Sequence, residues 1–298
     1  MIRLLILTLS LLANPLGAAT APERHEKQGS AQVPERIVVL DWALTEQLLD
    51  LGITPVGAPE LALYREWVID PALPESVADI GLRSEPNLEQ IASLAPDLIL
   101  ASDLDPAQLA RLERVAPVRV FEAFSKDHDN IAAARDIFET IAQLTGRAAL
   151  AEARISAMTA ELSALRQSLF AAFNGEVPSV AVVRLRDDAG VWIYGANSMP
   201  AAALEALGIQ NALPQPPSRW GAVQRPLSAL IEVGTGAVIA IRPHMAGTAV
   251  FDTPIWRHLP AVQADRFAEA APVWSYGGYL SLLRHARVFT QALQAMSR

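Results

Sequence analysis

The chain has 298 residues, of which 51% are hydrophobic and 19% charged, a composition that supports a sizeable buried core. Its 24 Lys and Arg residues stand against 32 Asp and Glu residues, and the net charge of -8 argues against a surface that neutralises a phosphate backbone. The chain has no cysteine, which excludes disulfides, thiol nucleophiles, thiolate metal sites and a lipid anchor on cysteine.

The first residues have the order of a secretory signal. One cation, Arg3, precedes the apolar run Leu4–Ala13, and small residues follow up to Ala21. That run is too short to span a bilayer comfortably, so we predict an export signal cleaved after Ala19 or Ala21 and a mature chain in the periplasm. A retained N-terminal anchor helix is the alternative.

The next stretch alternates short β-branched apolar runs with helical patterns, which is typical of an α/β domain. Strands are predicted at Arg36–Leu40, around Ile53 and Val56, and at Val77–Ile80, Leu98–Ala101 and Val118–Phe121. Helices are predicted at about Thr45–Leu51, Asn87–Leu94 and Ala107–Val115. Gly52 fits the C-terminal cap of the first of these helices.

Two helices fit residues 130–173. In the second, from about Arg147 to Phe173, apolar residues recur at helical spacing: Ile155, Met158, Leu162, Leu165 and Leu169. At 1.5 Å per residue this helix would be about 40 Å long, enough to run from one domain to another. A coiled-coil dimerisation arm is the alternative, but the apolar stripe lasts for only about two heptads.

Beyond Pro178 the α/β alternation resumes. Strands are predicted at Ser179–Leu185, Val191–Tyr194, Ala237–Ile241 and Arg266–Glu269. Helices are predicted at Pro200–Leu207, Ser228–Val233, Thr253–His258 and Gly278–Met296. The segments Leu48–Ile53 and Leu204–Ile209 echo each other, each after a strand and a helix. We therefore predict two α/β lobes with central, mainly parallel sheets, bridged by one long α-helix and facing a cleft.

The predicted organisation is a signal peptide at 1–20, a flexible arm at 21–34, an N-terminal lobe at 35–146, a bridging helix at 147–173 and a C-terminal lobe at 174–298. In open α/β sheets the ligand lies beyond the carboxyl ends of the strands. The loops at those ends are the predicted lining of the cleft: Asp41–Trp42, Gly81–Arg83, Ser102–Asp105, Arg184–Asp188 and Arg242–Met245.

Familiar catalytic signatures are missing from the sequence. It contains no GxSxG nucleophile elbow, no GxxxxGK[ST] phosphate loop and no HExxH metal motif. The five His residues are scattered, and no two have the i, i+4 spacing of helical metal ligands. A three-His zinc or manganese site assembled from distant loops is the remaining metal alternative.

Aromatic residues in the predicted loops give a stronger signal. None of the five lies on a helical apolar stripe: Trp42, Trp67, Trp220, Trp274 and Tyr276. Indole and phenol rings supply large rigid faces with a polar group, which suits a bulky ligand of mixed polarity. Ordinary packing under a loop is the alternative for any one of them. Trp192 and Trp256 are predicted to be core residues, on a strand and on a short helix.

One cation is placed to reach the cleft. Arg83 lies in the turn Gly81–Asn87, which follows a predicted strand and leads into a helix for which Ser84 is the predicted cap. Its guanidinium offers five fixed donors to anionic oxygens, and shielded charge-assisted hydrogen bonds contribute roughly 1.5–3 kcal/mol each. A solvated loop arginine, or a partner for Glu85, is the alternative.

Five segments carry a resemblance to a known family: Arg36–Trp42, Tyr64–Val68, Asp79–Glu89, Trp220–Gly221 and Val273–Gly277. Through them, and over about residues 35–297, the sequence resembles the periplasmic binding proteins for ferric hydroxamate siderophores. The stretch Gly-Leu-Arg-Ser-Glu-Pro-Asn within the third segment is the most specific. The wider clan binds siderophores, vitamin B12 or haem, and the resemblance implies its class III architecture, in which one long helix bridges two lobes that move little on binding.

The resemblance also implies roles for individual residues. Arg83 would bond the hydroxamate oxygens around the iron, and the five loop aromatics would line a shallow pocket. The sequence departs from the family at one position. Where the family has a Tyr in the cleft, an ungapped match places Asp105. A carboxylate cannot stack on the ligand and would repel an anionic chelate. The preferred siderophore then has a cationic part, or another group substitutes. Ser218 is placed to make a water-mediated contact.

The sequence thus predicts a non-enzymatic periplasmic carrier that presents an intact Fe(III)-siderophore, of hydroxamate type, to an inner-membrane ABC permease. The siderophore would hold the iron, so we expect no protein metal ligand, no cofactor, no nucleic-acid partner and a monomeric chain. Glu113 and Glu269 are the expected rim residues for permease docking. A cobalamin carrier of the same clan is the alternative, and an enzyme that acts on the ferric complex is a less favoured one.

Overall fold

Two five-stranded sheets with helices packed around them organise the chain, in a computed structural model that describes residues 33–187, 189–245, 247 and 249–297. The predicted signal peptide and all but the last two residues of the predicted arm lie outside the described residues. From Val33 onward the chain forms one compact unit. Within the described residues, no helix is long and apolar enough to cross a membrane.

The first sheet contains five short strands: β1 (Ile37–Val39), β2 (Gly57–Ala58), β3 (Ala78–Asp79), β4 (Leu98–Ser102) and β5 (Val118–Phe121). Their order is β3-β2-β1-β4-β5, and every pairing is parallel. The intervening helices are α1 (Trp42–Asp50), α2 (Leu61–Trp67), α3 (Leu88–Ser93) and α4 (Pro106–Leu112). Because parallel strands share a direction, their carboxyl ends meet at one edge of this lobe.

Side-chain caps set where three of these helices begin. Asp41 accepts a hydrogen bond from the Leu44 amide at 2.9 Å, so α1 begins at Trp42, earlier than predicted. Asn87 accepts from the Gln90 amide and caps α3, which corrects the predicted cap at Ser84. Asp105 caps α4 in the same way.

Helix α2 is missing from the sequence prediction. The residue that precedes it, Glu60, has a left-handed φ of 52° and makes no side-chain capping hydrogen bond, so the usual start signal is absent. Burial of Leu61 and Tyr64 stabilises the helix instead. Trp67 therefore ends a helix, and its predicted position in a loop is wrong.

Two long helices follow the first sheet: α5 (Asn130–Leu144) and α6 (Ala148–Ala172). Helix α6 has 25 residues and is therefore about 37 Å long. In the chain it lies between the first sheet and the second. Its predicted apolar stripe packs as expected. Met158 and Leu169 are buried, and Ile155, Leu162 and Leu165 pack against the same core.

The second sheet also has five strands: β6 (Val180–Leu185), β7 (Gly190–Tyr194), β8 (Ala222–Pro226), β9 (Ala237–Ile241) and β10 (Phe267–Ala270). Their order is β10-β9-β6-β7-β8. Strand β9 pairs in parallel with β10 and with β6, whereas β7 pairs antiparallel with β6 and with β8. The predicted α/β class with mostly parallel sheets is confirmed. Strand β8 escapes prediction because Gln224 and Arg225 are polar and it lies at the edge of the sheet.

The helices of the second lobe are α7 (Met199–Ala206), α8 (Pro254–Arg257), α9 (Pro260–Gln263) and α10 (Ser281–Met296). Short 3-10 turns cover Leu227–Val233 and Ala249–Asp252. One hydrophobic cluster joins both lobes, with Phe138 from α5, Met158 from α6 and Phe289 from α10 all buried in it. Moving the lobes apart would expose this shared apolar surface to water, which opposes a wide hinge motion.

A buried ion cluster also ties the lobes together. Arg284 of α10 donates from Nη1 to Asp50 Oδ2 of α1 at 3.1 Å and from Nε to Asp70 at 3.0 Å. The carboxylate of Glu46, also on α1, lies 3.7 Å from the same guanidinium and accepts a hydrogen bond from the Gly278 amide at 3.3 Å. Burial raises the pKa of Glu46 well above its ordinary range, although Arg284 lowers it.

Candidate functional site

An open basin lies between the lobes, at the ends of the strands of both sheets, and it has two connected parts. We call the larger part, of about 560 Å³, the main compartment; its own lining includes Asp41, Glu60, Ser102, Asp103, Phe124 and Trp220. We call the smaller part, of about 260 Å³, the annex; its own lining includes Leu63, Trp67, Arg184, Trp192, Tyr194 and Met245. Four residues line both parts: Trp42, Arg83, Trp274 and Tyr276.

Arg83 is placed at the junction of the two compartments. It follows strand β3 in a turn that Gly81 enters with a φ of 91°, a conformation that favours glycine. The guanidinium carbon lies 3.9 Å from the ring centre of Trp42 and 5.4 Å from that of Trp274. Its Nε donates to Glu60 Oε2 at 2.6 Å, so its carboxylate partner is Glu60 and not Glu85.

The predicted aromatics form a continuous surface that crosses from one lobe to the other. Trp42 of the first lobe meets Trp274 of the second with ring centres 4.8 Å apart, and Trp67 meets Trp274 at 6.1 Å. Tyr276 contacts Trp274 at 5.2 Å. These edge-on contacts are the arrangement that aromatic quadrupoles favour, so the rings support one another.

The opposite wall of the main compartment is made by Trp220. This indole is 47% exposed, and its ring centre lies 5.4 Å from Phe124 and 6.1 Å from Tyr276. The turn that carries it is held by Asn197, which donates to the Ser218 carbonyl oxygen at 2.8 Å. A large exposed indole beside a cavity is available to a ligand.

Two predicted site residues have other roles in the structure. Asp105 is the N-cap of α4, where its Oδ1 accepts from the amides of Ala107 and Gln108 at 2.8 Å, and it lines neither compartment. Ser218 donates to the carbonyl oxygen of Ala222 at 3.0 Å and likewise lines neither. From the predicted loop 102–105, Ser102 and Asp103 line the main compartment instead.

Two further corrections concern tryptophans, and a third tryptophan lies as predicted. Trp42 begins helix α1 and is only 2% exposed, with its Nε1 donating to the Pro59 carbonyl oxygen at 3.0 Å, so its indole N–H is already paired and little of its ring is open to a ligand. Trp192, predicted to be core, lines the annex. Trp256 is buried, as predicted.

Carboxylates concentrate in the main compartment. Asp41 accepts a hydrogen bond from Ser102 at 2.7 Å, and burial raises its pKa above the ordinary value. Asp103, which has a left-handed φ of 53° after strand β4, pairs with Arg219 of the second lobe at 3.2 Å. Together with Glu60, three carboxylates therefore line the same compartment as Arg83.

Arg184 is the first residue of a loop that the sequence predicts to line the cleft, and the structure places it in the lining of the basin. It lies on strand β6, is 2% exposed and lines the annex, with its guanidinium carbon 4.8 Å from the ring centre of Trp67. Its five N–H groups donate to neutral oxygens: Tyr194 Oη, the carbonyls of Arg242, Pro243 and Val273, and Ser275 Oγ. From the same predicted loop, Asp188 lies outside the described residues.

The described residues hold no group of three or more His, Cys, Asp or Glu side chains arranged for a metal ion. His244 pairs with Glu269 at 2.9 Å, and His285 is fully buried on α10, where its Nδ1 lies 2.8 Å from the Ser281 carbonyl oxygen. His25 lies outside the described residues. The basin as described therefore offers aromatic faces, a guanidinium and carboxylates to a ligand.

Residues 37–273 match the sequence profile of the periplasmic binding protein family. The iron(3+)-hydroxamate-binding protein FhuD of Escherichia coli (strain K12) is 32% identical over 262 residues, which is 87% of this chain and 87% of that protein. The achromobactin-binding periplasmic protein of Dickeya dadantii is 32% identical over 212 residues, 69% of this chain and 64% of that one.

Solved structures are similar to the whole described fold. The siderophore-binding protein FhuD of Vibrio cholerae, with Fe3+-Desferal bound, is 45% identical with a TM-score of 0.86, over 88% of this chain and 98% of that one. The FhuD2 protein of Staphylococcus aureus with bound ferrioxamine B is 17% identical with a TM-score of 0.71, over 89% of this chain and all of that one, a likeness of fold alone.

Proposed function

The chain belongs to the periplasmic binding protein family, and from that membership and the basin we propose that it binds an intact Fe(III)-siderophore complex of the hydroxamate class. The observation that carries the proposal is the position of the Arg83 guanidinium among indole rings from both lobes, at the opening of a cavity of about 560 Å³. That volume is within the range of small-molecule sites.

The chemistry of the basin suits the surface of such a complex. A ferric hydroxamate presents anionic oxygens around the metal and methylene linkers farther out. Within the described residues, the Arg83 side chain makes its one hydrogen bond through Nε, to Glu60, which leaves both terminal amino groups for ligand oxygens. The rings of Trp220, Trp274 and Tyr276 supply flat apolar contact for the linkers.

The siderophore itself holds the iron in this proposal, so the protein contacts only the outer atoms of the chelate and carries the complex unchanged, without a cofactor. The single chain works as an exported carrier in the periplasm and passes its cargo to an inner-membrane ABC permease. Two exposed carboxylates, Glu113 after α4 and Glu269 on β10, are the proposed docking residues, although Glu269 already pairs with His244 at 2.9 Å.

Replacing Arg83 with alanine is expected to weaken binding of a ferric trihydroxamate by about 1.5–3 kcal/mol, roughly ten- to a hundredfold in Kd, because charge-assisted hydrogen bonds to the chelate are lost. Isothermal titration calorimetry measures the change. The matched control is Arg257→Ala, since Arg257 also pairs with a carboxylate, Asp252, but lies outside the basin.

The loss in that variant has a second possible source, because Glu60 is left without its partner and would repel an anionic chelate. The double variant Arg83→Ala with Glu60→Ala separates the two effects. Binding that stays weak in the double variant shows that Arg83 contacts the ligand. An unchanged Kd in Arg83→Ala would remove this residue from the site.

A further inference from the structure

We propose that the annex is a second subsite, which takes an apolar arm of the siderophore that ends in a neutral or anionic group and disfavours an arm that ends in an ammonium group. This inference rests on the proposed function, since it assigns a chemical class to one part of the same ligand. It concerns annex side chains outside the predicted set of ligand-binding residues: Leu63, Arg184, Trp192, Tyr194 and Met245. Of these, Arg184 and Met245 belong to loops that the sequence predicts to line the cleft.

Continuity with the main compartment identifies the occupant. Trp42, Arg83, Trp274 and Tyr276 line both parts, so a chelate that contacts Arg83 stands at the entrance of the annex. A volume of about 260 Å³ is too small for a second chelate of the same kind but sufficient for a chain of several methylene groups. The annex is therefore suited to an arm of the ligand that is bound in the main compartment.

The walls of the annex are apolar. Trp67 and Trp192 provide indole faces, while Leu63 and Met245 stand at its rim and are 43% and 55% exposed. Exposed large apolar side chains that border a cavity lose contact with water when an apolar group covers them. A hydrocarbon arm would therefore gain affinity here.

Charge divides the two compartments. Three carboxylates line the main compartment around Arg83: Asp41, Glu60 and Asp103. The described residues that line the annex include two arginines, Arg83 and Arg184, and no carboxylate. A cationic group is consequently favoured on the main side of the basin and disfavoured in the annex.

Arg184 is the main source of this asymmetry. Its guanidinium is buried, and all five donors end on neutral oxygens, so no carboxylate among the described residues pairs with it. Its guanidinium carbon lies 4.8 Å from the ring centre of Trp67, and both residues line the annex. Charges at such sites interact more strongly than in water because little solvent screens them. An ammonium group in the annex would meet this field without a counter-ion.

The test uses a cyclic ferric trihydroxamate without an arm and three derivatives that carry one six-methylene arm. The arms end in a methyl amide, a carboxylate or an ammonium group. Calorimetry is expected to show the amide arm improving Kd about fivefold or more over the armless complex, because its methylene groups leave water when they enter the annex. The carboxylate arm should bind at least as tightly, and the ammonium arm at least fivefold more weakly than the amide.

A rim variant checks that the arm lies in the annex. Leu63→Trp narrows the annex without touching the main compartment, so it should abolish the advantage of the amide arm and leave the armless complex unaffected. Ile255→Trp is the matched control, because Ile255 is also an exposed apolar residue but lies on α8 outside both compartments.

Two results overturn the inference. In the first, none of the arms improves Kd over the armless complex. In the second, the derivative with the ammonium arm binds most tightly of the three. In both cases the armless complex binds normally, so the proposed function stands. If the armless complex itself fails to bind, the proposed function fails, and the annex subsite fails with it.

Discussion

Replacing Arg284 with methionine is expected to lower the free energy of unfolding by about 3 to 5 kcal/mol, because it leaves buried carboxylates without their counter-charge. Glu46 is fully buried and Asp50 nearly so, and both lie in the first lobe while Arg284 belongs to α10 of the second. Burial works against the charged guanidinium, but the surrounding carboxylates outweigh it and raise the pKa of Arg284. Arg284 and its carboxylate partners thus stabilise the contact between the lobes only while both signs of charge are present.

The deficit should depend on pH. Burial raises the folded-state pKa of Glu46 and of Asp50, and loss of Arg284 raises both further. A carboxyl group with a raised folded-state pKa contributes stability that is lost as pH rises through that pKa. Arg284→Met should therefore be closer to the parent chain at pH 5 than at pH 8.

Urea denaturation at the two pH values measures the effect. Arg287→Met is the matched control, since Arg287 lies on the same helix but pairs with Glu161 at the surface, where the loss should be less than about 1 kcal/mol. A cost for Arg284→Met that equals the cost for Arg287→Met would contradict the account of a buried interlobe cluster.

Acid should also destabilise the protein through His285, by on the order of 3 kcal/mol between pH 7 and pH 4. Burial, opposed by the hydrogen bond to the Ser281 carbonyl, lowers the pKa of this imidazole to about 3. A base with a depressed folded-state pKa contributes stability that is present above its ordinary pKa and is lost as pH falls towards the folded value. The relevant window runs from about pH 6.5 down to about 3.

His285→Leu should remove this dependence because leucine fills a similar volume beside Phe289 and does not titrate. Thermal or urea unfolding of both chains from pH 7 to pH 4 gives the comparison, and the difference between them cancels the opposite contribution of Glu46. His258→Leu, at an exposed position, is the control and should follow the parent chain. Parallel pH profiles for the parent and His285→Leu would contradict the lowered pKa of the buried imidazole, because they require the same pKa in the folded and unfolded chains.

Sequence patterns identify the regular elements wherever one signal dominates. Strands β5 and β9 are predicted to the residue, because each is a short run rich in β-branched residues that begins directly after a breaker, Pro117 or Gly236. Helix α2 and strand β8 lack such signals: one starts without a side-chain cap and the other is a polar edge strand. Their existence depends on tertiary contacts that a local pattern does not contain.

The basin was predictable in outline and not in detail. Arg83, Trp220, Trp274 and Tyr276 lie in strand-end loops, and the fold class alone predicts that such loops converge. Asp105 was predicted to line the cleft, but it caps helix α4 instead. A carboxylate directly before a helix suits either position, and the local sequence does not distinguish them.

Most of the remaining site residues carry no local signal. Arg184 and Trp192 belong to neighbouring strands, and only the pairing of β6 with β7 decides that they border a cavity. Phe124 lies just beyond the end of β5, where an aromatic in a polar stretch was a usable but unused signal. Glu60 becomes the partner of Arg83 through a left-handed turn that sequence alone does not reveal.

The most direct measurement follows tryptophan fluorescence while a ferric hydroxamate, a ferric catecholate, cyanocobalamin and haem are added in separate titrations. A siderophore carrier predicts saturable quenching by the ferric hydroxamate, with one complex bound per chain and recovered chemically unchanged. Saturable quenching by cyanocobalamin alone, or a ferric hydroxamate that is recovered reduced or cleaved, would contradict it.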